Sequence, residues 1–221
     1  MHADITRYKK PTGEVYDTYI ASGEGWDAVS PGVTAGLLGN TGWNVVSGTW
    51  YVIDTGDGYY SPVVTTGEIS RKATQFEGIY EWDWVKENTD STLIFHFISK
   101  IKGGAGAGQE GYALFYNNLE GLTFYRIDGA SYEQLFKTGN ALLTLGKKYR
   151  FRVIVEPGGI FSIYYSADNG ANYTLATPIA GFNPKTDTTY TESNYINLHY
   201  LADDGKTYIS GFKLTPLNSA I

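Results

Sequence analysis

The stretch Gly78-Ile79-Tyr80-Glu81-Trp82-Asp83-Trp84-Val85-Lys86-Glu87 decides how the chain is read. In an extended strand successive side chains point to opposite faces. Tyr80, Trp82 and Trp84 therefore share one face, and Glu81 and Asp83 share the other. Bulky rings on one side and acids on the other describe a strand with one face in a core.

Outward from this stretch the same period recurs. Trp43–Ile53, Thr92–Ser99, Gly111–Tyr116, Leu122–Ile127, Tyr149–Val155, Phe161–Ser166, Tyr195–Leu201 and Tyr208–Leu214 are rich in β-branched and aromatic residues, with weaker runs at Glu68–Arg71 and Tyr132–Lys137. Turn clusters separate them, such as Asp54-Thr55-Gly56-Asp57-Gly58 and Glu156-Pro157-Gly158-Gly159. No window of helical length carries an i, i+3, i+4 apolar stripe. The fold expected is all-β, with two antiparallel sheets packed as a sandwich. Phe151, Val153 and Val155 should face the core and Arg150 and Arg152 should not. Thr92–Ser99 is apolar on both faces, so it should be central, with Leu93, Phe95 and Phe97 on one side and Ile94, His96 and Ile98 on the other.

Composition agrees with one such domain. The chain has 221 residues, 42% hydrophobic and 15% aromatic, and no cysteine. A chain of this length buries roughly 70–75% of its unfolded surface and needs no covalent staple. Disorder and collagen are excluded by the apolar content and by glycines without a third-residue period. The net charge of −6 argues against a nucleic-acid partner, whose phosphates call for Lys and Arg. No apolar run is long enough to insert in a membrane, and no secretory h-region is visible at the start. Residues 1–41 lack a sustained period and read as an extended N-terminal arm ahead of a domain over 42–221. The arm either wraps its own domain or docks on a neighbour through Tyr16, Tyr19 and Trp26, rings that are costly to leave in water.

The runs Trp43-Asn44-Val45-Val46-Ser47-Gly48-Thr49-Trp50, Gly67-Glu68-Ile69-Ser70, Tyr80-Glu81-Trp82-Asp83, Gly111-Tyr112-Ala113-Leu114, Leu122-Thr123-Phe124-Tyr125-Arg126, Tyr149-Arg150-Phe151-Arg152-Val153 and Gly159-Ile160-Phe161-Ser162-Ile163-Tyr164-Tyr165 resemble the concanavalin A-like lectin/glucanase superfamily. Within it the chain looks like the laminin-G-like jelly rolls of phage structural proteins, over about 42–215. The resemblance implies a jelly roll with a ligand face, and a lectin-like virion structural protein of capsid or tail. Such a protein would be assembled in a host cytoplasm, or be extracellular if it acts alone. Its partners would be other virion proteins, a second copy through the arm, or surface glycans. A free carbohydrate-binding module and a glycoside hydrolase or lyase using Glu81 and Asp83 are the alternatives.

The hydrolases of that superfamily carry Glu-x-Asp-x-Glu on one strand. Here Glu81 and Asp83 match, but Val85 stands at the third position. Retaining hydrolysis needs two carboxyl groups about 5–5.5 Å apart. Glu87 lies roughly 13 Å beyond Asp83 along a strand and cannot substitute. The expectation is therefore no enzyme, with Glu81 and Asp83 as a solvated face or as partners of Arg150 and Arg152. Glu81, Asp83, Tyr125, Arg150, Arg152 and Tyr164 are the candidate ligand contacts. Tyr59, Tyr60, Tyr132 and Tyr190 are further rings at strand ends or on the outward parity.

Three local patterns are weaker. Ser166-Ala167-Asp168-Asn169-Gly170 is similar to an Asp-box hairpin, whose role is structural. Gly106-Ala107-Gly108-Gln109-Glu110-Gly111 matches G-x-G-x-x-G, but a strand follows where a dinucleotide site needs a helix. Asp54, Asp57, Asp203 and Asp204 make oxygen-rich turns that could take calcium. The expected cofactor is nevertheless none, because ordinary turn chemistry explains all four.

Overall fold

A computed structural model describes residues 6–9, 15–18, 36–37, 42–52, 58–61, 67–86, 92–103, 109–117, 119, 121–201 and 207–217, with only the backbone course given for residues 6–9, 15–18, 36–37, 51–52, 58–61, 200–201 and 207–208. In chain order the first strands are β1 (Thr6–Lys9), β2 (Val15–Thr18), β3 (Gly36–Leu37), β4 (Asn44–Ser47), β5 (Tyr51–Val52), β6 (Gly58–Ser61) and β7 (Gly67–Lys72). Then come β8 (Gly78–Lys86), β9 (Thr92–Ser99), β10 (Gln109–Tyr116), β11 (Leu122–Gly129), β12 (Ser131–Thr138) and β13 (Lys148–Glu156). The last are β14 (Ile160–Ser166), β15 (Thr174–Leu175), β16 (Pro178–Gly181), β17 (Lys185–Thr186), β18 (Tyr195–Leu201) and β19 (Thr207–Thr215).

They form a two-stranded β1-β2 sheet, a nine-stranded sheet in the order β16-β12-β11-β10-β9-β18-β7-β4-β3 and an eight-stranded sheet built on β15-β14-β13-β8-β19-β6-β5, with β17 pairing β14. All pairings are antiparallel. The two large sheets bury one face of each strand against the other, which is the jelly-roll sandwich that the alternation implies. Trp82 of β8 meets Phe95 of β9 with ring centroids 4.2 Å apart, and Phe161 of β14 meets Tyr112 of β10 at 4.5 Å. Trp82, Trp84, Phe95, Phe97, Phe124, Phe151 and Phe161 are all fully buried. Each such ring contributes about 1.5–3 kcal/mol of hydrophobic free energy, so the interlayer aromatics outweigh any surface interaction.

Phe151, Val153 and Val155 face the core, with Arg150 and Arg152 on the other side. Two expectations need correcting. Trp43–Ile53 is two strands in different sheets, β4 and β5, because the chain turns at Gly48 with φ +79° and crosses the sandwich there. Ile98 does not face outward. A β-bulge at Phe97 shifts the register against both β10 and β18, so Phe97 and Ile98 both enter the core. The bulge needs Gly111 opposite, at φ +146°, since a Cβ there would lie 2.0 Å from the Ile98 carbonyl oxygen. Ahead of the sandwich strands, β1 pairs β2, β2 lies against β19 of the same chain, and β3 extends the nine-stranded sheet through β4.

Candidate functional site

The outer face of the eight-stranded sheet carries most of the residues singled out by sequence. Cross-strand register sets Lys213, Glu81, Arg152 and Tyr164 in one row over β19, β8, β13 and β14. The next row is Ser210, Asp83, Arg150 and Ser166. Directly opposed residues lie close enough for side chains to pair. Arg150 donates Nε–H to Asp83 Oδ1 at 2.7 Å and Nη2–H to Oδ2 at 2.9 Å. Arg152 donates Nε–H and Nη2–H to Glu81 Oε1 at 2.9 and 2.7 Å. The Tyr173 hydroxyl donates to the same oxygen at 2.7 Å, and its ring packs on the Arg152 guanidinium at 3.6 Å.

The Asp-box-like hairpin is what delivers Tyr173 to this row. Ser166 Oγ donates to Asp168 Oδ1 at 2.6 Å, and Asp168 accepts the Asn172 backbone N–H at 2.9 Å. Asn169 and Gly170 take φ of 59° and 86° to close the turn. The Ser166 and Asn172 hydrogen bonds hold the Asp168 carboxyl down to about 2. Burial alone would raise the Glu81 carboxyl, but the Tyr173 hydroxyl, Arg152 and Lys213 together bring it below its ordinary value. Burial of Asp83, 1% exposed, pushes that carboxyl up against the pull of Arg150 and Lys148. One lowered and one raised carboxyl side by side is the electrostatic pattern of an acid/base pair. Here, however, both oxygens of Asp83 are taken by Arg150, beneath Gly211, whose Cβ position lies 3.0 Å from Asp83 Oδ2.

The outer face of the nine-stranded sheet is assembled by register alone. One row runs Gln134, Tyr125, Ala113, His96, Asn197, Ser70 and Asn44 across β12, β11, β10, β9, β18, β7 and β4. The neighbouring row includes Thr123, Phe115, Ile94, His199 and Glu68. At the β18–β7 end the face is closed. Asn197 accepts the Gly103 backbone N–H at 3.1 Å and donates Nδ2–H to the Ile101 carbonyl at 3.1 Å, folding residues 101–103 over it. In the same two rows His96 Nε2, His199 Nδ1 and Ser70 Oγ are buried and without a hydrogen bond among the described residues. Burial holds both imidazoles neutral, His96 at about 3 with a further push from His199, and His199 at about 4.

The other end of that face is open. Tyr132 of β12 is 44% exposed and stands edge-on to two half-buried neighbours, Phe115 at 6.2 Å and 79° and Tyr125 at 6.0 Å and 85°. Phe115 and Tyr125 are themselves 4.7 Å apart over a floor of Ile94, Ala113 and Ile127. Tyr132 is thus a ring whose orientation is fixed by packing while its own surface meets solvent.

The six candidate ligand contacts do not form one site: Glu81, Asp83, Arg150, Arg152 and Tyr164 share the outer face of one sheet, and Tyr125 lies on that of the other. Tyr190 is a correction. It is 6% exposed and packs on Tyr112 at 5.9 Å, because Asp187 bonds the Tyr112 hydroxyl at 2.6 Å and Arg126 at 2.5 Å and so straps its segment to the sandwich. Tyr16, Tyr59 and Tyr60 lie on strands given by backbone only. Tyr19, Trp26, Asp54, Asp57, Asp203 and Asp204 lie outside the described residues. Among the described residues no three His, Asp or Glu side chains converge as a metal site. His96 and His199 lie far apart in the sequence, and only the pairing of β9 with β18 makes them neighbours. Tyr132 did carry a signal, its outward parity.

No family model matches the chain, and no curated protein matches it. Solved structures do. The carbohydrate binding module CBM66 from Bacillus subtilis is 17% identical, covers 79% of this chain and 96% of its own length, and superposes with a TM-score of 0.58. A β-glucanase from Bacillus licheniformis is 12% identical over 85% of this chain and 99% of its own, at 0.48. A protein of unknown function with a galectin-like fold from Bacillus subtilis is 13% identical over 83% and 97%, at 0.47. The first of these shares the jelly-roll sandwich fold of this chain.

Proposed function

We propose that this protein is a non-catalytic, lectin-like carbohydrate-binding jelly roll whose contact with a sugar is centred on Tyr132. The observation that carries this reading is the Tyr132 ring, held upright by Phe115 and Tyr125 while 44% exposed. A pre-oriented ring loses little freedom on binding and offers a flat apolar surface to the C–H face of a pyranose. Gln134 and the Tyr125 hydroxyl stand beside it as hydrogen-bonding groups for sugar hydroxyls. The fold shared with a carbohydrate-binding module supports the reading at the level of architecture.

Hydrolysis is the less favoured reading because Asp83 is sealed at 1% exposure with both oxygens on Arg150, and Glu81 is lowered rather than raised. A general acid needs a raised pKa and access to the glycosidic oxygen. Display on a virion, as the family resemblance implies, would use the same ring as its outward contact and residues 1–41 for attachment.

Glycan-array screening followed by calorimetry on the best ligand tests the reading. Wild type should bind, and Tyr132→Ala should weaken binding at least about tenfold, or 1.4 kcal/mol, with an unchanged circular dichroism spectrum. Absence of any glycan ligand, or equal affinity in the variant, overturns it. Release of reducing sugar that is abolished by Glu81→Gln would replace it with the hydrolase reading.

A further inference from the structure

Where the sandwich ends laterally, β15 closes the eight-stranded sheet and β16 the nine-stranded sheet, and two residues join them. An edge strand leaves backbone N–H and C=O groups unpaired on one side, and chains that must stay apart place charges there. This edge has none. Residues 169–184 are sixteen consecutive positions without Asp, Glu, Lys, Arg or His, in a chain that is 18% charged. Ile179 is 72% exposed and Phe182 73%, the two most exposed large apolar side chains described, and Leu175 adds 37%.

The edge is also rigid. β16 pairs β12 through Phe136–Gly181 and Lys137–Ala180, and the approach is so close that a Cβ on Gly181 would lie 2.1 Å from the Leu135 carbonyl oxygen. Asn183 clamps the far end to the other sheet, accepting the Ile163 backbone N–H at 3.0 Å and donating to the Ile163 and Ala176 carbonyls at 2.8 Å each. A strand already fixed in extended form loses little entropy when a second strand pairs with it.

We propose that β16 pairs antiparallel with β16 of a second copy of this chain, forming a two-fold dimer that joins the nine-stranded sheets edge to edge and covers Ile179 and Phe182. A two-fold interface brings one patch against itself, so it must be self-complementary. An antiparallel edge meets that condition in its backbone, and an uncharged flank meets it electrostatically. Two copies each carrying −6 repel least where the approaching surfaces hold no charge. The proposal stands apart from the sugar reading, since Tyr132 lies on a sheet face and not on this edge.

Sedimentation equilibrium from 1 to about 100 μM gives the first test. Wild type should reach twice 24.4 kDa, and Ile179→Lys combined with Phe182→Lys should raise the dissociation constant at least a hundredfold with an unchanged circular dichroism spectrum. Because the chain has no cysteine, a single cysteine can report the geometry independently of that variant. Ala180→Cys should give a covalent dimer with a short bis-maleimide, while Lys72→Cys, on β7 six strands away, should not. A wild type that stays monomeric across the range overturns the proposal, as does a dimer indifferent to the lysines or one cross-linked equally from both positions.

Discussion

Asp83 and Arg150 face each other across β8 and β13 and are joined by two parallel hydrogen bonds of 2.7 and 2.9 Å, on a carboxylate that is 1% exposed. Such a pair is sensitive to the loss of either partner, because the survivor is left buried with little compensation, Asp83 keeping only Lys148 at 3.9 Å. Arg150→Ala should therefore lower unfolding free energy by about 3–5 kcal/mol, and Arg150→Met combined with Asp83→Leu should restore most of it. Urea unfolding of the two variants checks this. A double variant as unstable as the single one would show that lost packing, and not stranded charge, dominates.

Acid sensitivity should trace to His96 and His199. Their folded-state values of about 3 and about 4 lie below the ordinary 6.5, because burial disfavours the charged rings. The unfolded chain binds protons first as pH falls, so stability is full above pH 6.5 and is lost as pH drops toward 4. Each histidine contributes a slope of about 1.4 kcal/mol per pH unit in that window. His199→Gln or His96→Gln should halve the slope measured by urea unfolding between pH 6.5 and 4.

Tyr173→Phe removes the hydroxyl that Glu81 Oε1 accepts at 2.7 Å while keeping the ring on Arg152. The Glu81 carboxyl should then titrate higher than in wild type, nearer its ordinary 4.5. A carbon-detected NMR titration of Glu81 reads this directly, and an unmoved midpoint would show that Arg152 and Lys213 alone set it.

Gly111→Ala should be among the most damaging single-methyl changes in the chain. Its φ of +146° and the 2.0 Å approach of its Cβ position to the Ile98 carbonyl force the bulge to open. A loss of at least about 2 kcal/mol is expected. By comparison Gly158→Ala, at φ +83° with nothing within 4 Å of its Cβ position, should cost only the strain of a left-handed alanine, about 1 kcal/mol.

The sequence alone determined the secondary-structure class and the inward set, because side-chain direction in a strand has a period of two that survives in any tertiary setting. Trp82 inward and Glu81 outward follow from adjacency, and so does the choice of Arg150 and Arg152 as outward cations. Which strands lie side by side was decided only by the tertiary structure, since pairing partners are separated by unpredictable lengths of chain. That is why His96 and His199 came together unannounced, why Tyr125 parted from Glu81, and why the bulge at Phe97 reversed the face of Ile98. The charge-free run 169–184 was equally plain in the sequence, but its placement along one bare flank of the sandwich follows from the order of strands in space.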